Sequence, residues 1–512
     1  MQGHRAAGRC LAAIACLFLA VGGCCTPESS CFVDNCAVPD SRPLRDARRE
    51  SLATVGPLET QQPTLAFASH TQEPPAPVAE PEPVAAVDLE DGDELTLAEV
   101  INLAIAANPD TTAAVEQLAI ADATLARARA EFYPKLGISE QYGVTNNPVA
   151  AFSFQLNQGR LSLAQDFNNP RTIDDFHTQL RLEHRVYAGE QRRHGLHAAQ
   201  AGVSAAAWNL ESVHNQLVFR VAEAYYRLLQ ARDLVKVRQQ AVQQVSQHLD
   251  IVQSRFRNET AVKSDVLTVE VRLAEVREAL ISAENQLQLA WAVLHNVTGT
   301  AVSPRPLPEA IPTAPWNQHV AMVQAAVDDA LNSRPEIGAL ANQRQAATEG
   351  VLVAQAGKGL SVDLVTDYDV YTGDFGRGND SFFAGVIFQL NLLDGGRTSS
   401  EVSRALARVR EIAAREQRLI LDIELDVRRA HLQLNDAEER LKVATQAIGQ
   451  AQESLREIEV RYRGQTATIT QLVDAQVALS NALVRRTNSE ADVQIARASL
   501  ERAIGRLSGA LQ

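Results

Sequence analysis

The chain makes little use of cysteine, aromatic residues or positive charge, and each shortage excludes something. All six cysteines, Cys10, Cys16, Cys24, Cys25, Cys31 and Cys36, fall in the first 36 residues. Everything beyond them has no disulfide, thiolate nucleophile or cysteine-held metal. Aromatics make up 5% of the 512 residues. The 46% of hydrophobic residues are mostly Ala, Val and Leu, which suit narrow seams between helices better than a thick globular core. A formal net charge of −14, with no basic patch, argues against nucleic acid as a partner, because phosphate backbones need a basic footprint. The eleven histidines are scattered. No His-Glu-x-x-His, Gly-x-Ser-x-Gly or glycine-rich phosphate loop occurs, so neither an enzyme nor a cofactor is expected.

The N-terminus reads as an export signal. Arg5 and Arg9 precede an apolar run from Leu11 to Val21 that suits a signal h-region and is short for a membrane span. It ends in Val21-Gly22-Gly23-Cys24, which resembles a bacterial lipobox. Residues 1–23 are therefore expected to be a lipoprotein signal peptide, with lipid attached at Cys24. Residues 24–93, rich in Pro, Ala, Glu and Ser, read as a disordered tether.

The remainder repeats itself. Asn108-Pro109 matches Arg334-Pro335, Gly189 matches Gly395, and RFRNETAV from Arg255 matches RYRGQTAT from Arg461. Residues 94–303 and 317–507 form two copies, separated by a Pro-rich linker at 304–316 and followed by a short tail at 508–512. In each copy the order is a short helix, a second helix opened by proline, an extended region, and a very long helix pair broken near Thr260 or Thr466. The first copy carries an insertion between Tyr142 and Tyr187, expected to be loop.

Two patterns set the fold class. Val221, Leu228, Val235, Val242 and Leu249 fall seven apart, with Ala224, Ala231, Arg238, Val245 and Val252 as companion seam. Val427, Leu434, Leu441, Ile448 and Leu455 repeat this in the second copy, beside Ala430, Ala437, Ala444, Ala451 and Ile458. A sustained heptad implies coiled-coil packing, which a structural coiled-coil lipoprotein without channel activity also satisfies. In residues 179–187 and 384–393, and around Leu136 and Val362, apolar and polar residues alternate. Four strands of about ten residues fit an outer-membrane sheet, although a soluble sheet with one wet face alternates likewise. Four strands in lipid cannot close a barrel alone and would leave backbone groups unpaired.

The order of elements, the Asn108-Pro109 and Arg334-Pro335 motifs, the glycine-containing strand-to-helix junctions and the paired helix breaks together resemble the TolC family of outer-membrane efflux proteins over about residues 94–507. The resemblance implies a homotrimer, mainly α with a β part. A twelve-stranded outer-membrane barrel, four strands per protomer, continues into a periplasmic α-helical coiled-coil barrel. It also implies the role of passive exit duct for a tripartite efflux or type I secretion system. The partners would be outer-membrane lipid, a periplasmic adaptor, and an inner-membrane pump of the resistance-nodulation-division or ATP-binding-cassette class.

The helix breaks then become hairpin tips at the periplasmic end. Asn258, Glu259 and Thr260 in the first tip, with Gly464, Gln465 and Thr466 in the second, are the expected adaptor contacts. Asn258 and Gly464 are assigned the positive φ of the reversal, and Thr260 and Thr466 the capping of the returning helices. Relatives usually carry glycine one position after Gly464, where this chain has Gln465 and, in the first copy, Glu259. Gln471 and Asp474 match positions of two acidic rings facing the pore axis, with Asp265 and Thr268 as first-copy counterparts. Threefold-related Asp474 carboxylates would attract cations to a constriction, whereas on an ordinary exposed helix such an aspartate is solvated surface.

Overall fold

A computed structural model describes residues 94–507, except 163, 165, 167, 303, 314, 317–321 and 374–377. The expected signal peptide, Cys24, the tether and the tail at 508–512 lie outside the described residues.

Two short helices open the fold, α1 (Leu97–Ala107) and α2 (Pro109–Ala130). The Thr96 hydroxyl accepts from the Glu99 amide while the Glu99 carboxylate receives the Thr96 amide, a reciprocal capping box that starts α1. The Asn108 side chain accepts from the Asp110 amide at 2.7 Å and donates to the Val297 carbonyl at 2.6 Å. It thus caps α2 and ties the elbow to the far end of a returning helix. Strand β1 (Lys135–Thr145), helix α3 (Pro148–Asn157) and strand β2 (Ile173–Ala188) follow. The chain then enters the long α4 (Gln191–Arg257) and returns as α5 (Lys263–Thr298).

The same order recurs. Helices α6 (Val323–Ser333) and α7 (Pro335–Ala356) lead to β3 (Ser361–Thr372) and β4 (Asn379–Gln389), then to α8 (Arg397–Arg463) and α9 (Ile469–Ile504). Gly299 and Gly505 end α5 and α9 at φ 76° and 89°, with backbone so close that a Cβ would lie 2.7 Å from the Ala107 carbonyl or 3.0 Å from the Arg334 Cα. Only glycine lets each returning helix meet its proline elbow.

Helices α4 and α8 are each 67 residues long, about 100 Å at 1.5 Å per residue. Helix α5 returns along α4 and α9 along α8, while α7 lies against both long helices. The heptad positions supply the seams: Val221, Leu228, Val252, Val427, Ala430 and Ala437 are among the most buried residues. Arg238, the polar member of the first seam, stays half-buried, as a long side chain can when its apolar stem packs and its charged head keeps to water. Tyr225 and Tyr226 are fully buried where α1, α4 and Trp316 join one core. The Tyr225 hydroxyl donates to the Leu95 carbonyl at 2.9 Å, and burial pushes its pKa up to about 12.

Two expectations need correction. The insertion in the first copy is not loop alone, since residues 148–157 form α3, with Asn147 capping the Val149 and Ala150 amides. An Asx cap followed by proline starts a helix wherever it falls. Strand β4 also occupies 379–389 instead of 384–393. It ends where its partner does, at the Ser361–Gln389 pair, leaving Leu390, Leu392 and Leu393 outside the sheet and exposed.

Candidate functional site

The sheet has order β1-β2-β3-β4, antiparallel throughout. Its register sorts the side chains by face. The pairs Leu136–Leu182, Ile138–Leu180, Tyr142–Phe176, Leu180–Tyr368, Tyr368–Phe382 and Val362–Phe388 place apolar residues on one side. That side is bare, with Leu136 68% exposed, Ile138 76% and Phe388 69%.

The opposite face is knitted by charge. Arg181 reaches Asp367 at 2.7 Å, Arg185 reaches Asp363 at 2.7 Å, and His177 reaches Asp369 at 2.8 Å. All three pairs cross from β2 to β3, joining the two copies across the central strand pair. An exposed apolar face backed by an ion-paired one inverts the usual soluble sheet. The outer edges of β1 and β4 carry no strand among the described residues. No described helix is long and apolar enough to cross a membrane, so among the described residues the sheet is the surface that fits lipid.

Below the sheet each chain segment turns sharply into a long helix. Glu190 precedes α4 at φ 71° and Gly396 precedes α8 at φ 86°. Asp394 accepts from the Gly396 and Thr398 amides at 3.0 and 2.9 Å and from the Thr398 hydroxyl. These bonds, those from Thr398 foremost, hold its carboxyl at about 2. No side chain caps α4.

At the far end lie the hairpin tips. In the first, the Glu259 amide donates to the Phe256 carbonyl at 3.0 Å and the Thr260 amide to the Arg255 carbonyl at 2.9 Å; in the second, Gln465 to Tyr462 is 3.2 Å and Thr466 to Arg461 is 2.8 Å. These nested bonds are a Schellman motif, which requires its left-handed residue one position beyond the helix cap. The assignment of positive φ to Asn258 and Gly464 is therefore corrected: they sit at φ −90° and −78°, while Glu259 and Gln465 take +64° and +62°. The threonine expectation is corrected as well. Thr260 and Thr466 hydroxyls donate back to Arg255 and Arg461 at 3.0 and 3.1 Å, sealing the outgoing helices. The returning α9 is capped by Thr468, whose hydroxyl accepts the Gln471 amide while the Gln471 side chain accepts the Thr468 amide at 3.0 Å. Val262 precedes α5 with no side-chain cap.

Gln471, Asp474, Asp265 and Thr268 are placed near the tips; Gln471, Asp474 and Thr268 are exposed on the protomer, and Asp265 is half-buried. Gln471 is held by its cap, and the Thr268 hydroxyl donates to Ser264 at 2.8 Å. The two tips share one apolar core in which Val252, Val269, Leu455, Ile469 and Leu472 are buried. A contact not anticipated from sequence joins them at the rim. The Arg255 guanidinium lies 4.5 Å over the Tyr462 ring and donates to the Tyr462 carbonyl at 3.4 Å. Burial raises the pKa of Tyr462. RFR against RYR was the available signal, since only the second motif carries a tyrosine.

The outer membrane efflux protein model matches residues 100–300 and 326–506, both copies of this arrangement. The chain belongs to the outer membrane efflux protein family. Its relatives include outer membrane efflux protein BepC of Brucella suis, 24% identical over 70% of this chain and 77% of that protein. Outer membrane protein TolC of Vibrio cholerae is 22% identical over 80% of this chain and 91% of its own length. The crystal structure of outer membrane protein VceC from Vibrio cholerae superposes with a TM-score of 0.67 at 21% identity, covering 80% of this chain and 96% of VceC. As a member of the outer membrane efflux protein family, the chain is an outer-membrane transport protein and not an enzyme, mainly helical with a four-stranded antiparallel part.

Proposed function

We propose that three copies of this chain build a passive exit duct. Twelve strands close one barrel in the outer membrane, and the long hairpins continue it through the periplasm toward an adaptor and an inner-membrane pump. The observation that carries this reading is the sheet: two unpaired edges, a bare apolar face and an ion-paired polar face. Edges left open in lipid cost several kcal/mol per backbone group. Joining β4 of one copy to β1 of the next removes every edge. The apolar faces then form the lipid band and the Arg–Asp and His–Asp pairs line a wet interior.

The domain boundaries proposed from sequence complete this picture, with a lipid on Cys24 at the end of a tether that holds the N-terminus at the membrane. The tips, through Asn258, Glu259, Thr260, Gly464, Gln465 and Thr466, are the proposed adaptor contacts. Asp474 and Asp265, with Gln471 and Thr268, are the proposed constriction.

Conductance of the purified protein in planar bilayers, together with heat-sensitive trimer migration on a gel, tests the duct. A silent, monomeric protein would overturn it in favour of an envelope spacer. At the constriction, Asp474→Ala is expected to weaken block by divalent cations at least several-fold. Unchanged block and unchanged cation selectivity would remove Asp474 from the gate.

A further inference from the structure

Near the strand-to-helix junction, the first turns of α4 meet the end of α7. His194 and His197, three apart on one face of α4, converge on Glu349 of α7, and ligand atoms of all three lie within 4.8 Å of one another. His194 Nδ1 stands 2.7 Å from the Glu349 carboxylate and His197 Nδ1 stands 3.9 Å from the same oxygen. The rings meet edge to face with centroids 6.3 Å apart. Each side chain is partly covered, at 24%, 40% and 19% exposure for His194, His197 and Glu349.

The duplication offers an internal control. Scaffold positions equivalent to His194 and His197 are Ser400 and Ser403, and the one equivalent to Glu349 is Ala123. The equivalent helices, α8 for α4 and α2 for α7, form without any of the three ligands. The helical scaffold therefore does not require the set, which lies where the copies meet, with His194 and His197 from the first and Glu349 from the second.

We infer that His194, His197 and Glu349 form a binding site for a divalent transition-metal ion of the zinc class. Two imidazoles and one carboxylate suit zinc, nickel or copper, whereas magnesium and calcium prefer all-oxygen sets. Tetrahedral donors around zinc sit about 3.3 Å apart, given metal–ligand distances of about 2.0–2.1 Å. The 2.7 and 3.9 Å separations bracket that spacing, so modest side-chain shifts suffice. The ion takes the place of the His194–Glu349 hydrogen bond, and water completes its shell through the open side. Bound there, it pins the first turns of α4, which no side chain caps, to the end of α7.

Zinc titrated into detergent-solubilised full-length protein, stripped beforehand with chelator, tests the site by calorimetry. Cobalt spectroscopy identifies the ligands. The expected result is one ion per chain, a cobalt spectrum without thiolate charge transfer, and at least tenfold weaker binding in both His197→Ala and Glu349→Gln. Among the described residues the His197 ring makes no hydrogen bond, ion pair or ring contact besides those to Glu349 and His194, and alanine favours helix, so the substitution is expected to leave the helix intact. Unchanged heat-dissociation of the stripped variants verifies that they fold. No zinc uptake by the folded wild-type protein, or uptake that persists undiminished in both variants, overturns the site. Persisting cobalt with thiolate absorption would assign the metal to the N-terminal cysteines and overturns it equally.

Discussion

The two copies reach one geometry with their stabilising side chains in different places. The first copy caps its short helices, α1 through Thr96 and Glu99 and α2 through Asn108, and leaves its long ones uncapped at Glu190 and Val262. The second does the reverse. Met322 and Arg334 give α6 and α7 no side-chain cap, while Asp394 binds the first amides of α8 and Thr468 with Gln471 caps α9. Arg334 instead pairs with Glu336 and Asp426 at 3.3 and 3.4 Å. Backbone geometry is what the two halves share, and several side-chain sets satisfy it.

The tips show the contrast most sharply, and substitutions there can break it. Leu472 is 1% exposed in the shared tip core, whereas its first-copy counterpart Val266 is only partly buried. Leu472→Ala is expected to cost about 2–5 kcal/mol by removing buried methyls and leaving a cavity; Val266→Ala should cost well under half as much. Denaturant midpoints of the detergent-solubilised protein compare the two, and equal losses would show that the tips are equally packed.

Capping gives the next largest effect. Thr468→Ala should lose about 1 kcal/mol, while Val262→Thr should gain a few tenths to about 1 kcal/mol by giving α5 the cap it lacks. Hydrogen exchange over the first turns of α5 and α9 reads both. A destabilising Val262→Thr would mean that the bare valine serves a contact of its own.

Strain at the turn is smaller and should be symmetric. Gln465→Gly and Glu259→Gly each place glycine at a φ near +60° and are expected to stabilise by about 0.5–1 kcal/mol, seen as a rise in the thermal midpoint. A fall in either would indicate that the side chain makes a compensating contact.

The smallest expected effect is on acidity. Burial holds His248, in the distal half of α4, below the ordinary imidazole range. The opened form therefore binds its proton first. Distal stability is full above about pH 6.5 and declines as the pH falls below that value. Amide exchange in the distal half of α4, corrected for intrinsic rates, should quicken between about pH 7.5 and 5.5, and His248→Gln should flatten that response.

Local rules that act within a few residues were legible in the sequence. Heptad spacing gave the seams from Val221 to Leu455, proline marked the starts of α2 and α7, and alternation found four strands, the last of them displaced five residues from its true start. Errors arose where a residue's role depends on its exact place in a hydrogen-bonded motif. Gly464 looked like the turning residue because glycine tolerates positive φ, but the Schellman bonds assign that conformation to Gln465. Thr466 looked like a cap for the helix after it, yet Thr468 occupies the position from which a hydroxyl reaches the Gln471 amide.

The sequence by itself determined the duplication, the helical seams and the two-faced strands, because period and punctuation are written in neighbouring residues. Tertiary structure decided which distant residues meet. Register alone set Arg181 against Asp367 across 186 positions, while helix packing laid the Arg255 guanidinium over Tyr462 and brought His194 and His197 to Glu349 across 155 positions from His194. Such encounters depend on how whole elements align and pack, and no local pattern in either partner encodes that alignment.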